Sequence, residues 1–252
     1  MDQVVVKASK KQRGLGLGLR GLVLGWSLWL LGSWIVLWAV GGWTVPALRV
    51  MVLSGLVGMM GVWPAVRLSQ PTRSASSGNE VSGSEWARAC GWIAADWLAL
   101  NLVFQAVIWP LQIAAGWSTP QAVWLVVAVA GWSLLTGLVI AWGRGTNRPA
   151  ARSWAMVVCV AVVVLEPMLW WMGLITAGPE VGVPEMRFSP LQAVWGVSAA
   201  GTDAQAQAAI AIHGFQIVTV VASALVGWVV LWGLLTLVVL RERATARGAA
   251  AS

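Results

Sequence analysis

The sequence has little of what a soluble enzyme uses. It contains no tyrosine, one histidine, two cysteines and only 10% charged residues in 252, where a soluble globular domain carries about 25% charge. That shortage excludes a soluble domain and a disordered tail. Cys90 and Cys159 lie inside apolar stretches without C-x-x-C spacing, which excludes a disulfide-stapled secreted domain and indicates neither a zinc site nor a redox pair. A lone histidine excludes a di-haem cytochrome b, and His/Met ligation would need a methionine such as Met186 opposite His213. The chain has no Walker A, GxSxG or HExxH pattern, no paired aspartates in one helix and no nucleophile–base set. ATP-driven transport by this chain alone is therefore excluded, and no catalytic residue, cofactor or metal is expected.

What remains is apolar. The chain is 59% hydrophobic with 20 Trp and 28 Gly, and its mean hydropathy is +0.78. A spanning helix needs about 20 mostly apolar residues, and six segments qualify: 21–40, 46–65, 90–110, 121–142, 154–176 and 215–240. The first has no charge and follows five basic residues, but it is too long for a signal-peptide core and no small-residue cleavage site follows it before Trp43. The spacing predicts a retained helix.

The basic residues fix an orientation. The net charge is +7, yet these residues sit between and beyond the apolar runs rather than on one folded face, so no nucleic-acid partner is expected. Six crossings place fourteen of the sixteen Lys and Arg on one side, against Arg49 and Arg187 on the other. The positive-inside rule then puts both termini in the cytoplasm. The expected class is an all-α integral membrane protein, multi-pass, with the bacterial inner membrane as its setting. Tryptophans near span ends, Trp26, Trp63, Trp86 and Trp117 among them, read as interfacial belts.

The expected organisation follows the spans. A basic cytoplasmic segment (1–20) precedes a hairpin of two helices (21–66), a flexible Ser/Gly-rich cytoplasmic loop (67–88) and three more helices (89–177). An extracytoplasmic segment (178–213) carries a short interfacial helix, because Ser189-x-x-Gln192 has the capping-box pattern. A last helix (214–240) and a basic cytoplasmic tail (241–252) complete the chain. Ser118 and Pro120 mark another helix start. Gly25-Trp26-Ser27-Leu28 recurs as Gly131-Trp132-Ser133-Leu134, a hint of an inverted repeat.

Polar groups inside hydrocarbon need a partner or a wet cavity. Asn101, Gln105 and Gln112 fall within about 40° of one another on one helix face, with Asp96 roughly opposite. They read either as a polar track or as amide bonds between helices. Glu166 sits near the middle of its span, followed by Pro167, which favours a kink. It reads as a proton-carrying or substrate-coordinating acid beside a hinge, or as a protonated structural group. Gln216, Thr219 and Ser223 recur at three- and four-residue spacing with Gly227, and His213 lies just above them. Arg49 is expected to snorkel to the headgroups.

These features lead to an expected small permease or membrane-domain subunit of a transport system, with lipid and either partner subunits or further copies of the chain around it. The alternative is a non-catalytic membrane scaffold or assembly factor. In size and topology alone the layout resembles small ABC-exporter permeases, such as those of cytochrome c maturation. That likeness lends no residues.

Overall fold

A computed structural model describes residues 18–41, 44–70, 83–146, 148–171, 189–199 and 203–251. The side chains of a few helical residues, among them Glu166, Pro167 and Asp203, lie outside the description. Every element among the described residues is helical: α1 (Leu19–Gly41), α2 (Val45–Ser69), α3 (Gly83–Ala115), α4 (Thr119–Gly145), α5 (Pro149–Trp171), α6 (Pro190–Ala199) and α7 (Asp203–Ala251). Five of them, α1, α2, α3, α4 and α7, are long and apolar enough to cross a membrane; Pro149–Leu165 of α5 is a shorter apolar helix. The expected fifth crossing, 154–176, runs past the described residues beyond Trp171.

Local chemistry explains where the helices start and stop. Proline stands in the first turn of α2 and α4 and is the first residue of α5 and α6, positions where its missing N–H costs no helical bond. Ser118 makes no side-chain capping bond, so Pro120 rather than a hydroxyl cap marks the start of α4. The turn from α3 to α4 is closed by Gly116 at φ 67°. Its amide donates to Ile113 O at 3.3 Å, and the Trp117 amide donates to Gln112 O at 3.0 Å. This is a Schellman motif, and its left-handed position suits glycine.

α2 contains a π turn, Gly58–Val62, in which the Trp63 amide donates to Gly58 O, five residues back. Pro64 follows it and has no N–H to offer Met60. Widening the helix by one residue is a common answer to such a gap.

α4 is the hub of the bundle. It touches α2, α3, α5, α6 and α7, whereas α1 packs mainly on α2 and α3 among the described residues. Close approach depends on large side chains seated on glycines. The Trp26 ring lies on Gly58, the Trp86 indole on Gly145, and the Phe104 ring on Gly55. Small residues at helix crossings let backbones come near, which is how membrane helices gain contact without a hydrophobic driving force between them.

The tryptophans divide between two roles. Trp38, Trp92, Trp142 and Trp154 are exposed, as interfacial residues would be. Trp26, Trp63 and Trp117 are buried, and Trp86 is half-buried, which corrects their expected place in the belts. Instead, indole N–H groups bind helix to helix: Trp26 donates to Leu100 O at 3.2 Å, Trp86 to Ala141 O at 3.3 Å and Trp228 to Leu134 O at 3.1 Å. Position along a span does not determine which helix face a side chain occupies.

Candidate functional site

Two clusters of buried polar groups stand at the two ends of the bundle. One end holds most of the arginines. The end of α2, the start of α3 and the end of α4 meet there, with Trp86 of α3 against Gly145 of α4 and Gly143 of α4 against Leu68 of α2 and Ala155 of α5. The last turns of α7 join them, since the Gly83 amide donates to Glu242 Oε1 at 2.8 Å. Helix therefore occupies Arg67–Ser69 and Gly83–Arg88, both within the stretch expected as a loop (67–88); residues 71–82 lie outside the described residues.

At this end Arg67 and Asp96 form a buried, bidentate ion pair. Arg67 Nε donates to Asp96 Oδ2 at 2.5 Å and Nη2 to Oδ1 at 2.6 Å, while Nη1 donates to Gln70 Oε1 at 3.1 Å. Asp96 is 1% exposed and Arg67 7%. The indole of Trp63 lies beside the same carboxylate without reaching hydrogen-bond geometry. Arg144 sits near enough for its charge to act on Asp96, and Arg152 near enough to act on Arg144. The sequence marked Asp96 but assigned Arg67 to the loop. The signal was an aspartate and an arginine each inside an apolar run, where an ionisable residue calls for a named partner.

The other end is capped by α6, which is packed against α2, α4 and α7, with Ala193, Val194 and Val197 fully buried. The Ser189 hydroxyl accepts from the Gln192 amide at 3.4 Å, but Gln192 Oε1 is buried without a partner, so the capping box is half made. The last carbonyls of α6 are bound from three sides. Gln121 Nε2 donates to Val197 O at 2.6 Å, Trp117 Nε1 to Ser198 O at 3.2 Å and Arg49 Nη2 to Ala199 O at 2.8 Å. Cationic and N–H donors at a helix C-terminus satisfy both its orphan carbonyls and its dipole. Arg49 also lies 5.8 Å above the Trp195 ring, so it holds α6 and does not snorkel. His213 of α7 lies against Gly196.

The expected track on α3 is bonded locally. Asn101 Nδ2 donates to Trp97 O at 2.9 Å and approaches Ser133 Oγ at 3.4 Å. Gln105 Oε1 accepts from Trp109 at 2.9 Å, and Gln112 Nε2 donates to Thr119 Oγ1 at 3.2 Å. On α7, Thr219 donates to Phe215 O at 2.8 Å and Ser223 is exposed, while Gln216 is buried and its Nε2 has no partner. Trp132 Nε1 of α4 is likewise buried and unbonded. Glu166 and Pro167 stand in α5, and their side chains fall outside the described residues.

No group of three His, Cys, Asp or Glu that could hold a metal occurs among the described residues. A groove of about 350 Å³ between α4 and α7, lined by Leu138, Trp142, Gly227, Leu231 and Leu234, is apolar and suits lipid rather than a polar solute. Comparison with protein-family models, with curated proteins and with solved structures returns no match. The helices are those of a multi-pass membrane protein.

Proposed function

We propose that the chain is a small permease or the membrane-domain subunit of a transport system. It would cross the bilayer six times, with α5 as the fifth span and the arginine end in the cytoplasm. The observation behind this reading is a set of buried donors without a hydrogen-bond partner, Gln216 Nε2, Trp132 Nε1 and Trp63 Nε1 among them. Trp26, Trp86, Trp97, Trp117 and Trp228 all donate to carbonyls of crossing helices, so the bundle bonds such groups where packing is their purpose. A buried donor left without an acceptor costs about 1–3 kcal/mol, and inside a membrane such groups mark paths for solutes or ions. A state that admits water or a polar solute between α4 and α7 would use them. Glu166 would then be the titrating or coordinating acid, and Pro167 with the π turn of α2 the bending points.

The second reading, a scaffold, draws on Asn101, Gln105 and Gln112, each bonded to a neighbour rather than facing open space. Co-purification from native membranes, together with proton flux in reconstituted vesicles, separates the two. Transport requires either a stoichiometric nucleotide-hydrolysing partner or a flux above protein-free vesicles that Glu166→Gln and Gln216→Leu reduce at least tenfold. A stable assembly with neither property would overturn it in favour of the scaffold.

A further inference from the structure

The polar ties on α6 are unevenly spread. Among the described residues, every hydrogen bond it receives from another helix or from the α3–α4 turn lands on its last three residues: Gln121 Nε2 at Val197 O, Trp117 Nε1 at Ser198 O and Arg49 Nη2 at Ala199 O. The Arg49 guanidinium also lies over Trp195, in the same half. In the first half, Pro190–Val194, the residues turned inward are Pro190, Ala193 and Val194, and the Ser189 hydroxyl serves the Gln192 amide of α6 itself. Side chains this small give up little apolar contact when they part from a neighbour. Two polar atoms without partners flank the place where α6 meets α7, His213 on Gly196. Gln192 stands four residues before Gly196, on the same side of α6, and its Oε1 is buried and unbonded. Gln216 stands three residues after His213, close to one turn along α7; it is 9% exposed and its Nε2 is unbonded. An acceptor and a donor are thus both held away from water without a bond, which costs each its desolvation. Parting the first half of α6 from α7 would hydrate both and offset the lost contacts.

We propose that Pro190–Val194 is a lid over Gln216, hinged on the bonded residues 197–199, which opens to admit water and small polar solutes at the end of the bundle opposite the arginines. A few residues at the end of an element, fixed while the rest swings, are the usual anatomy of such a hinge. The purpose of the lid rests on the transport reading, to which it adds an entrance; its opening is measured without any transport.

The test uses the full chain in lipid nanodiscs, where both faces are open to reagent, and a small cationic methanethiosulfonate as the probe. The parent chain, whose Cys90 and Cys159 are buried, sets the background. Gln216→Cys should be modified slowly but to completion. Two other buried positions should stay at background: Ser198→Cys, a near-isosteric change at the hinge, and Leu235→Cys, towards the far end of α7. Val194→Ala removes two methyl groups from the inward side of the lid. It should raise the rate at Gln216→Cys at least fivefold and leave Ser198→Cys and Leu235→Cys unmodified. A Gln216→Cys chain that stays at background, or a rate that Val194→Ala leaves unchanged, overturns the lid. Modification of Ser198→Cys as fast as Gln216→Cys overturns the hinge, because all of α6 would then leave together. Equal modification of Leu235→Cys overturns it too, because the bundle as a whole would be loose. A lid that passes this test in a chain without flux in the vesicle assay would strike the transport reading alone.

Discussion

Single residues here work by shape as much as by polarity. A methyl on Gly58 would run into the Trp26 ring and Trp29 Nε1, on a helix already widened by the π turn. Alanine gains up to about 1 kcal/mol of helix propensity over glycine, but overpacking a tight contact costs about 1–3 kcal/mol. Gly58→Ala is therefore expected to lower the thermal midpoint in detergent, and Trp26→Leu in the same chain to recover part of the loss. A midpoint equal to wild type in the single variant would show that the ring is free to move aside. The Arg67–Asp96 pair carries a larger stake, because removing one partner strands a buried charge. Asp96→Asn or Arg67→Gln alone should destabilise by about 3–5 kcal/mol, and the double variant by clearly less than the sum. Additive losses in that cycle would mean that the two groups are solvated separately.

At the scale of elements, the helices were legible because a span must be apolar along its whole length, a signal that no tertiary contact can hide. What was illegible lies at the edges and between the helices. α3 opens two turns before its apolar run, since Trp86 packs on Gly145 and Glu242 binds the Gly83 amide, contacts with no trace in local composition. Arg67 and Asp96 are 29 positions apart, and no periodicity links them. The α6 cap shows the same limit: Ser189 and Gln192 announced its start, but nothing announced that α2 and the α3–α4 corner would bind its end. Those bonds are worth about 1 kcal/mol each and are local to the cap. Gln121→Leu with Trp117→Phe should accordingly speed amide hydrogen exchange across Ala193–Ser198 severalfold while leaving the middle of α4 protected. Equal protection in both chains would show that burial of Ala193, Val194 and Val197 alone holds α6.

For the molecule as a whole, the decisive question is which way the long helix passes through the bilayer. α7 has 49 residues, about 74 Å at 1.5 Å per residue, more than twice the roughly 30 Å of hydrocarbon. Its apolar stretch, Ala204–Glu242, is only 22% buried inside the bundle in its most apolar window, so most of it faces outward from the bundle. Its first turns stack beside α6, and its last reach the arginine end, where Glu242 meets Gly83. Opposite ends of one helix should then lie on opposite sides of the membrane, with the basic end inside. Gln207 and Thr245 are both exposed, one near each end. The two native cysteines are buried and should compete little for a membrane-impermeant maleimide. In intact cells Gln207→Cys should label at once, and Thr245→Cys only after the membrane is opened. The reverse pattern would invert the molecule and put the arginine end outside, whereas labelling of both from one side would mean that α7 does not cross at all.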